Sequence, residues 1–262
     1  MDEPIITTPT VSAAVDLLRE CVATRSIGVL IGTNGCGKTF ALRALEMRYS
    51  KLGLAGVCLR YRCCQVIGST RGVRDLLLQL GGRLASLRSG STGGLQLFCK
   101  LACSEFSKRG IRTLLLDEAD LWDVSALAGL VTLYDFLQES GQALTLIMSG
   151  VLPPAHWLDQ ISALRSRTLR IETIHPLGRE VLLGVLQEWA APFRGLSEKV
   201  TSGQQLAERL LKQIHRGTDG NLRRTRQFTD LMLMKGENFD LNEDTVAQAF
   251  SKMINQGRDG DA

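Results

Sequence analysis

The 262-residue chain is short of several things, and each shortage removes a class of function. No apolar run approaches the ~20 residues that span a bilayer. The amino terminus, Met1-Asp2-Glu3-Pro4, is acidic where a secretory leader would be basic and then apolar. Membrane and secreted proteins are therefore not expected, and the cytoplasm is the expected compartment. The seven cysteines are odd in number and contain no C-x-x-C pair. Zinc frameworks and redox motifs need tighter, repeated spacing, so these read as free thiols packing as small hydrophobes. Cys99 and Cys103, four apart on an expected helix, read the same way. Internal repeats and low-complexity tracts are missing, and aromatics are sparse at 5%.

What is present is enough apolar residue, 44%, to bury a sizeable core without disulfide or metal staples. Charge is unevenly placed. Residues 51–100 hold eight basic side chains against one acidic, Asp75, so the positive excess of the whole chain sits in this window. Arg60, Arg62, Arg71, Arg74 and Arg83 are among them. Such a concentration is the electrostatic footprint of a surface that meets phosphate. At this point a solvated face with no partner explains it as well.

Five short apolar runs, at 27–31, 57–61, 113–116, 144–148 and 168–174, alternate with helical patterns over 41–52, 73–87, 95–108 and 126–137. That alternation predicts an α/β fold with a parallel sheet covered on both faces. Before the first run, Thr10 is placed to cap a helix over 11–21, with Pro9 just outside it. After Pro176 the strand signals stop, and helical patterns follow at 180–189, 204–214, 222–234 and 243–254. The expected organisation is an α/β nucleotide-binding core over residues 1–176 and a small helical domain over 177–262.

The strongest signal follows the first run. It reads Gly32-Thr33-Asn34-Gly35-Cys36-Gly37-Lys38-Thr39, with Phe40 continuing into a helix. The pattern G-x-x-x-x-G-K-T between strand and helix lets backbone N–H groups face phosphate oxygens, helped by the helix N-terminus. Lys38 would reach the β- and γ-phosphates of ATP, and the Thr39 hydroxyl would hold Mg²⁺. The third run ends in Asp117-Glu118-Ala119-Asp120. A carboxylate at a parallel strand end beside such a loop suits Mg²⁺, and Asp117 fits. Glu118, pointing elsewhere, is the natural base for an attacking water. Ser149, ending the fourth run, is placed either to touch the γ-phosphate or simply to open a turn. An L-S-G-G-Q segment and an N-K-x-D motif are both missing, which disfavours transporter-type ATPases and guanine specificity.

The order of these motifs, ending with Ser166-Arg167-Thr168 before the fifth strand and then a helical lid, resembles that of the AAA+ ATPases. The resemblance runs from about Val11 to Ile254. It implies a five-stranded parallel P-loop sheet in the order 5-1-4-3-2, nucleotide held between core and lid, and assembly into rings or spirals completed by a neighbour. By position, Ser149 looks like sensor 1. Arg167 looks like the arginine finger, with Arg165 its close competitor, and Arg223 in Gly220-Asn221-Leu222-Arg223-Arg224 matches sensor 2.

Within that class the details are similar to the transposition ATPases of the MuB and TnsC kind, which form ATP-dependent filaments or rings on DNA and recruit or stimulate a transposase. The resemblance turns the region after the second strand toward a central pore, which favours duplex DNA as the partner of the basic window. With only Tyr61 nearby, contact would be to the DNA backbone, salt-dependent and indifferent to sequence. Other readings are a protein-directed ATPase of the ExeA kind and a replication initiator or helicase loader.

Overall fold

In a computed structural model, residues 8–52, 57–63, 68–79, 94–151, 158–201, 204–236 and 239–259 are described. The chain divides into two compact units. One comprises Val11–Gly32 and Lys38–Ile174; the other comprises Met1–Thr10, Thr33–Gly37 and His175–Ala262. The loop 33–37 thus groups with the carboxy-terminal helices, although the chain joins it directly to the sheet unit at both ends.

The sheet unit contains strands β1 (Ile27–Gly32), β2 (Cys58–Arg62), β3 (Thr113–Asp117), β4 (Thr145–Gly150) and β5 (Thr168–Ile174). All neighbours pair in parallel, in the order β2-β3-β4-β1-β5. This is the order and the fold class expected from the sequence. Every residue of β1, β3 and β4 is buried, the pattern of central strands covered on both faces. β5 at the edge is mostly half-exposed.

Helices α1 (Pro9–Thr24), α2 (Lys38–Lys51), α3 (Ser69–Gln79), α4 (Leu95–Arg109), α5 (Val124–Glu139) and the short α6 (Ser162–Arg167) accompany the strands. Ile27, Val29, Leu114, Leu116 and Met148 share one core with Val73, Leu76, Phe98, Phe106, Leu127 and Leu130 from α3, α4 and α5. Each such side chain contributes roughly 1.5–3 kcal/mol by leaving water. Asp123 caps α5, accepting the Ala126 N–H at 2.6 Å and the Gly68 N–H at 3.2 Å. A Cβ at Gly129 would lie 2.5 Å from the Ser69 carbonyl, so α5 is glycine where α3 begins. Helix α1 starts at Pro9, so Thr10 lies inside it instead of capping it; proline suits the first helical position because its missing N–H is unneeded there.

The second unit contains α7 (Arg179–Trp189), α8 (Pro192–Thr201), α9 (Gln205–Thr218), α10 (Leu222–Leu233) and α11 (Glu243–Asp259). Their core gathers Leu182, Leu186, Phe193, Leu210, Ile214, Phe228, Met232 and Val246. Phe228 stacks on Phe250 at 4.9 Å, and Phe193 meets Phe239 edge-on at 5.5 Å. Helix α8 had no counterpart in the sequence reading.

Candidate nucleotide site

Parallel pairing places the ends of β2, β3 and β4 side by side, with Arg62 opposite Asp117 and Leu116 opposite Met148. Asp117 is 1% exposed. The Ser149 hydroxyl donates to its Oδ1 at 2.7 Å, and the Thr39 hydroxyl donates to the same oxygen at 3.2 Å. Asp117 Oδ2 is buried and has no hydrogen-bond partner among the described residues. A buried carboxylate oxygen without a partner is costly unless a ligand completes it. A hard cation would do so, since carboxylate and hydroxyl oxygens are the donors Mg²⁺ prefers. Thr39 and Asp117 therefore fit the cation. Lys38, one residue earlier, donates from Nζ to the Gly32 carbonyl at 2.7 Å.

Glu118 leaves the strand in a left-handed conformation, φ +58°. Its N–H donates to Ser149 Oγ at 3.3 Å, so this fully buried serine ties both acidic residues to the end of β4. The Glu118 carboxylate turns to Arg62, which donates from Nε at 2.8 Å and from a terminal nitrogen at 3.1 Å. That hydrogen bond raises the Arg62 pKa above its ordinary value. The pair is solvent-exposed at Arg62, 67%, and half-buried at Glu118. Sequence spacing found Glu118 and Arg62 separately, but their partnership required the sheet register.

The other basic candidates separate into two groups. Arg60 is paired with Glu46 at 2.8 Å. Arg71 and Arg74 lie on α3, Arg71 exposed and Arg74 half-buried beside the core residues Val73 and Leu77, and form no ion pair among the described residues. Arg83 lies outside the described residues. Tyr61 is buried edge-on against Trp122 and presents no ring to solvent.

Arg167 forks the Asp135 carboxylate at 2.6 and 2.7 Å and also donates to the Ala163 carbonyl. Arg165 pairs with Asp159. Each guanidinium is thus engaged within its own chain, and either would have to exchange a carboxylate to reach a neighbour's phosphate.

In the second unit, Gly35 and Gly37 adopt φ +82° and +102°, open to glycine but strained for other residues. The Asn34 carbonyl accepts from Asn221 Nδ2 at 2.6 Å, and the Gly35 carbonyl accepts the Leu222 N–H at 2.9 Å. Arg223 follows on α10 with an exposed side chain. Thr33 and Cys36 complete the loop, Cys36 buried and its N–H 3.4 Å from the Thr33 carbonyl. Phe40 lies in the first turn of α2. The Asn221 contact escaped the sequence reading, although asparagine directly before a helix is a capping signal.

The described cysteines are free and buried. Burial raises Cys58 to about 12 and Cys99 to about 11, which suppresses thiolate chemistry. Among the described residues, no helix is long and apolar enough to cross a membrane, and no cluster of three His, Cys, Asp or Glu side chains could hold a metal.

A strand–loop–helix bearing Lys38 and Thr39, with a buried aspartate two strands away in a 2-3-4-1-5 sheet, defines a P-loop ATPase-class fold. A family model described as "AAA domain" matches residues 21–158, and the chain belongs to that family. No curated protein sequence matches it. Among solved structures, the chain is similar to domain III of the replication initiation protein DnaA from Thermotoga maritima, with TM-score 0.59, 16% identity, and 96% and 95% of the two chains covered. It is also similar to Cdc6p from Pyrobaculum aerophilum, with TM-score 0.63, 16% identity, and 90% of this chain and 64% of that one covered. Orc1 from Aeropyrum pernix, solved in complex with DNA, gives TM-score 0.59 and 18% identity over 95% of this chain and 66% of that one. The chain thus spans about two thirds of the Cdc6p and Orc1 chains. Identities this low establish a shared AAA+ fold.

Proposed function

We propose that this protein is an ATP-hydrolysing switch that assembles on duplex DNA. The observation that carries the ATPase reading is the convergence of Thr39 and Ser149 on Asp117, with the second carboxylate oxygen buried and unmatched. Thr39 and Asp117 would hold Mg²⁺, whose charge when bound offsets that of the phosphates. Lys38 supplies a cation for the β- and γ-phosphates, and loop amides supply further donors. Glu118 accepts the proton of the attacking water once its carboxylate is available. Arg62 occupies that carboxylate from an exposed position. A polyanion that draws Arg62 away would release Glu118, so DNA binding would raise turnover.

The DNA reading is supported by the basic window, by the unmatched Arg71 and Arg74, and by an Orc1–DNA complex among the structural neighbours. The finer role follows the sequence resemblance: marking of target DNA, with recruitment or stimulation of a transposase. A second reading, a replication-initiation ATPase, is favoured by the likeness to the replication initiation protein DnaA.

Fluorescence anisotropy with a random-sequence duplex, with and without a non-hydrolysable ATP analogue, tests the proposal. Salt-sensitive binding only with nucleotide supports it; no binding, or binding indifferent to nucleotide, overturns it. Selection from a random duplex pool separates the two roles. A flat sequence profile favours target marking, and an enriched motif favours initiation.

A further inference from the structure

Helix α10 opens with an unusual concentration of donors. Asn221 Oδ1 caps the helix by accepting the Arg224 N–H at 3.1 Å. The same amide uses its other end, Nδ2, to donate to the Asn34 carbonyl at 2.6 Å. The next two backbone N–H groups, of Leu222 and Arg223, reach the Gly35 carbonyl at 2.9 and 3.4 Å. An ordinary N-cap uses only a side-chain oxygen. Here the nitrogen is used as well, and it is spent on the loop.

A trans peptide points its N–H opposite to its C=O. Holding the Asn34 and Gly35 carbonyls on α10 therefore aims the Gly35 and Cys36 N–H groups away from that helix. A third carbonyl, of Cys36, accepts from the Thr10 hydroxyl at 3.3 Å. Three successive carbonyls of the loop are thus held from outside it. The fit is close: a Cβ at Gly35 would lie 2.2 Å from Asn221 Oδ1.

We propose that Asn221 is a positioning residue that presets the amides of the phosphate loop for the polyphosphate of a nucleotide. The inference rests on the reading of residues 32–39 as a nucleotide site. A loop whose peptide planes are already turned gains phosphate bonds without first reorienting. Without the Asn221 amide, the Asn34 carbonyl is no longer held outward, and an inward-facing carbonyl repels an anion.

Two variants separate this role from capping and from charge. Asn221→Asp and Asn221→Ser each keep an oxygen to accept the Arg224 N–H. Asp has no donor for Asn34, and the Ser hydroxyl is too short to reach it. Titration with a fluorescent ATP analogue and a fluorescent ADP analogue, beside thermal unfolding of each variant, reads the outcome. Both variants should bind both nucleotides about 5–10-fold more weakly, the loss of roughly one hydrogen bond, with unfolding midpoints near wild type. Wild-type affinity in Asn221→Ser would overturn the proposal, including the case in which only Asn221→Asp is weakened, since that is charge repulsion. Weakening that merely follows a lowered unfolding midpoint would also overturn it. Absence of nucleotide binding by the wild type would instead remove the nucleotide-site reading beneath it.

Discussion

The ends of β3 and β4 and helix α3 both carry charged groups, yet folding treats them in opposite ways. At the strand ends, Asp117 is almost fully buried and two hydroxyls are fixed on one of its oxygens. On α3, the exposed Arg71 and the half-buried Arg74 are without ion-pair partners among the described residues. The first region has met the cost of desolvation during folding, so a cation there meets a rigid, dry carboxylate. The second stays hydrated and can neutralise a polyanion by displacing counterions. Arg62 and Glu118 join the two modes, one exposed and the other half-buried.

The largest expected effect that would break this contrast is at Glu118. Glu118→Gln should lower the rate of phosphate release by ~10²–10⁴-fold while leaving ATP affinity near wild type. Normal turnover would remove Glu118 from the role of base. On the exposed side, Arg71→Ala with Arg74→Ala should weaken duplex binding about tenfold. The same variant should reduce the slope of log affinity against log salt by about two, one per lost phosphate contact. Anisotropy at four or more salt concentrations gives both numbers, and an unchanged slope would place the DNA elsewhere.

Arg62→Ala sharpens the comparison at the junction. Loss of the fork should raise DNA-free hydrolysis up to ~5-fold, because ion pairs open to water are weak. A drop in hydrolysis would mean that Arg62 serves the chemistry directly. The smallest effect belongs to the scaffold. Asp123→Ala removes the cap of α5 and should cost about 1 kcal/mol, a fall of roughly 2–4 °C in unfolding midpoint, with nucleotide affinity unchanged. Burial pushes the Asp123 carboxyl up, but hydrogen bonds from Ala126, Gly68 and Ser125 outweigh it and leave the pKa below its ordinary value. A depressed carboxylate stabilises the fold above its unfolded pKa, and that contribution is lost as pH falls through the folded value. The difference between wild type and Asp123→Ala should therefore shrink in strong acid.

Much of the architecture was legible because its signals are local. Runs such as Leu114–Leu116 mark strands, and alternation with helices of a dozen residues fixes a parallel sheet. The loop from Gly32 to Thr39 announces itself by glycine and lysine spacing alone. Other features were not legible because they depend on register or on distant packing. Arg62 reads as one more positive charge until β2 and β3 align it with Asp117 and bring it to Glu118. Ser149 reads equally as a group facing phosphate or opening a turn, and its hydroxyl is spent on Asp117. Asn221 reads only as a neighbour of Arg223, because nothing local indicates that its amide spans 187 residues to Asn34. Helix α8 has no strong local signal: Gly195 weakens helical propensity, and packing of Phe193 and Leu196 overrides it.

The most direct test of the central claim is steady-state ATP hydrolysis by the purified protein, with and without random-sequence duplex, beside Lys38→Ala. Turnover should rise on adding DNA and disappear in Lys38→Ala. Hydrolysis that survives Lys38→Ala, or a wild type that hydrolyses no ATP even with DNA, would contradict it.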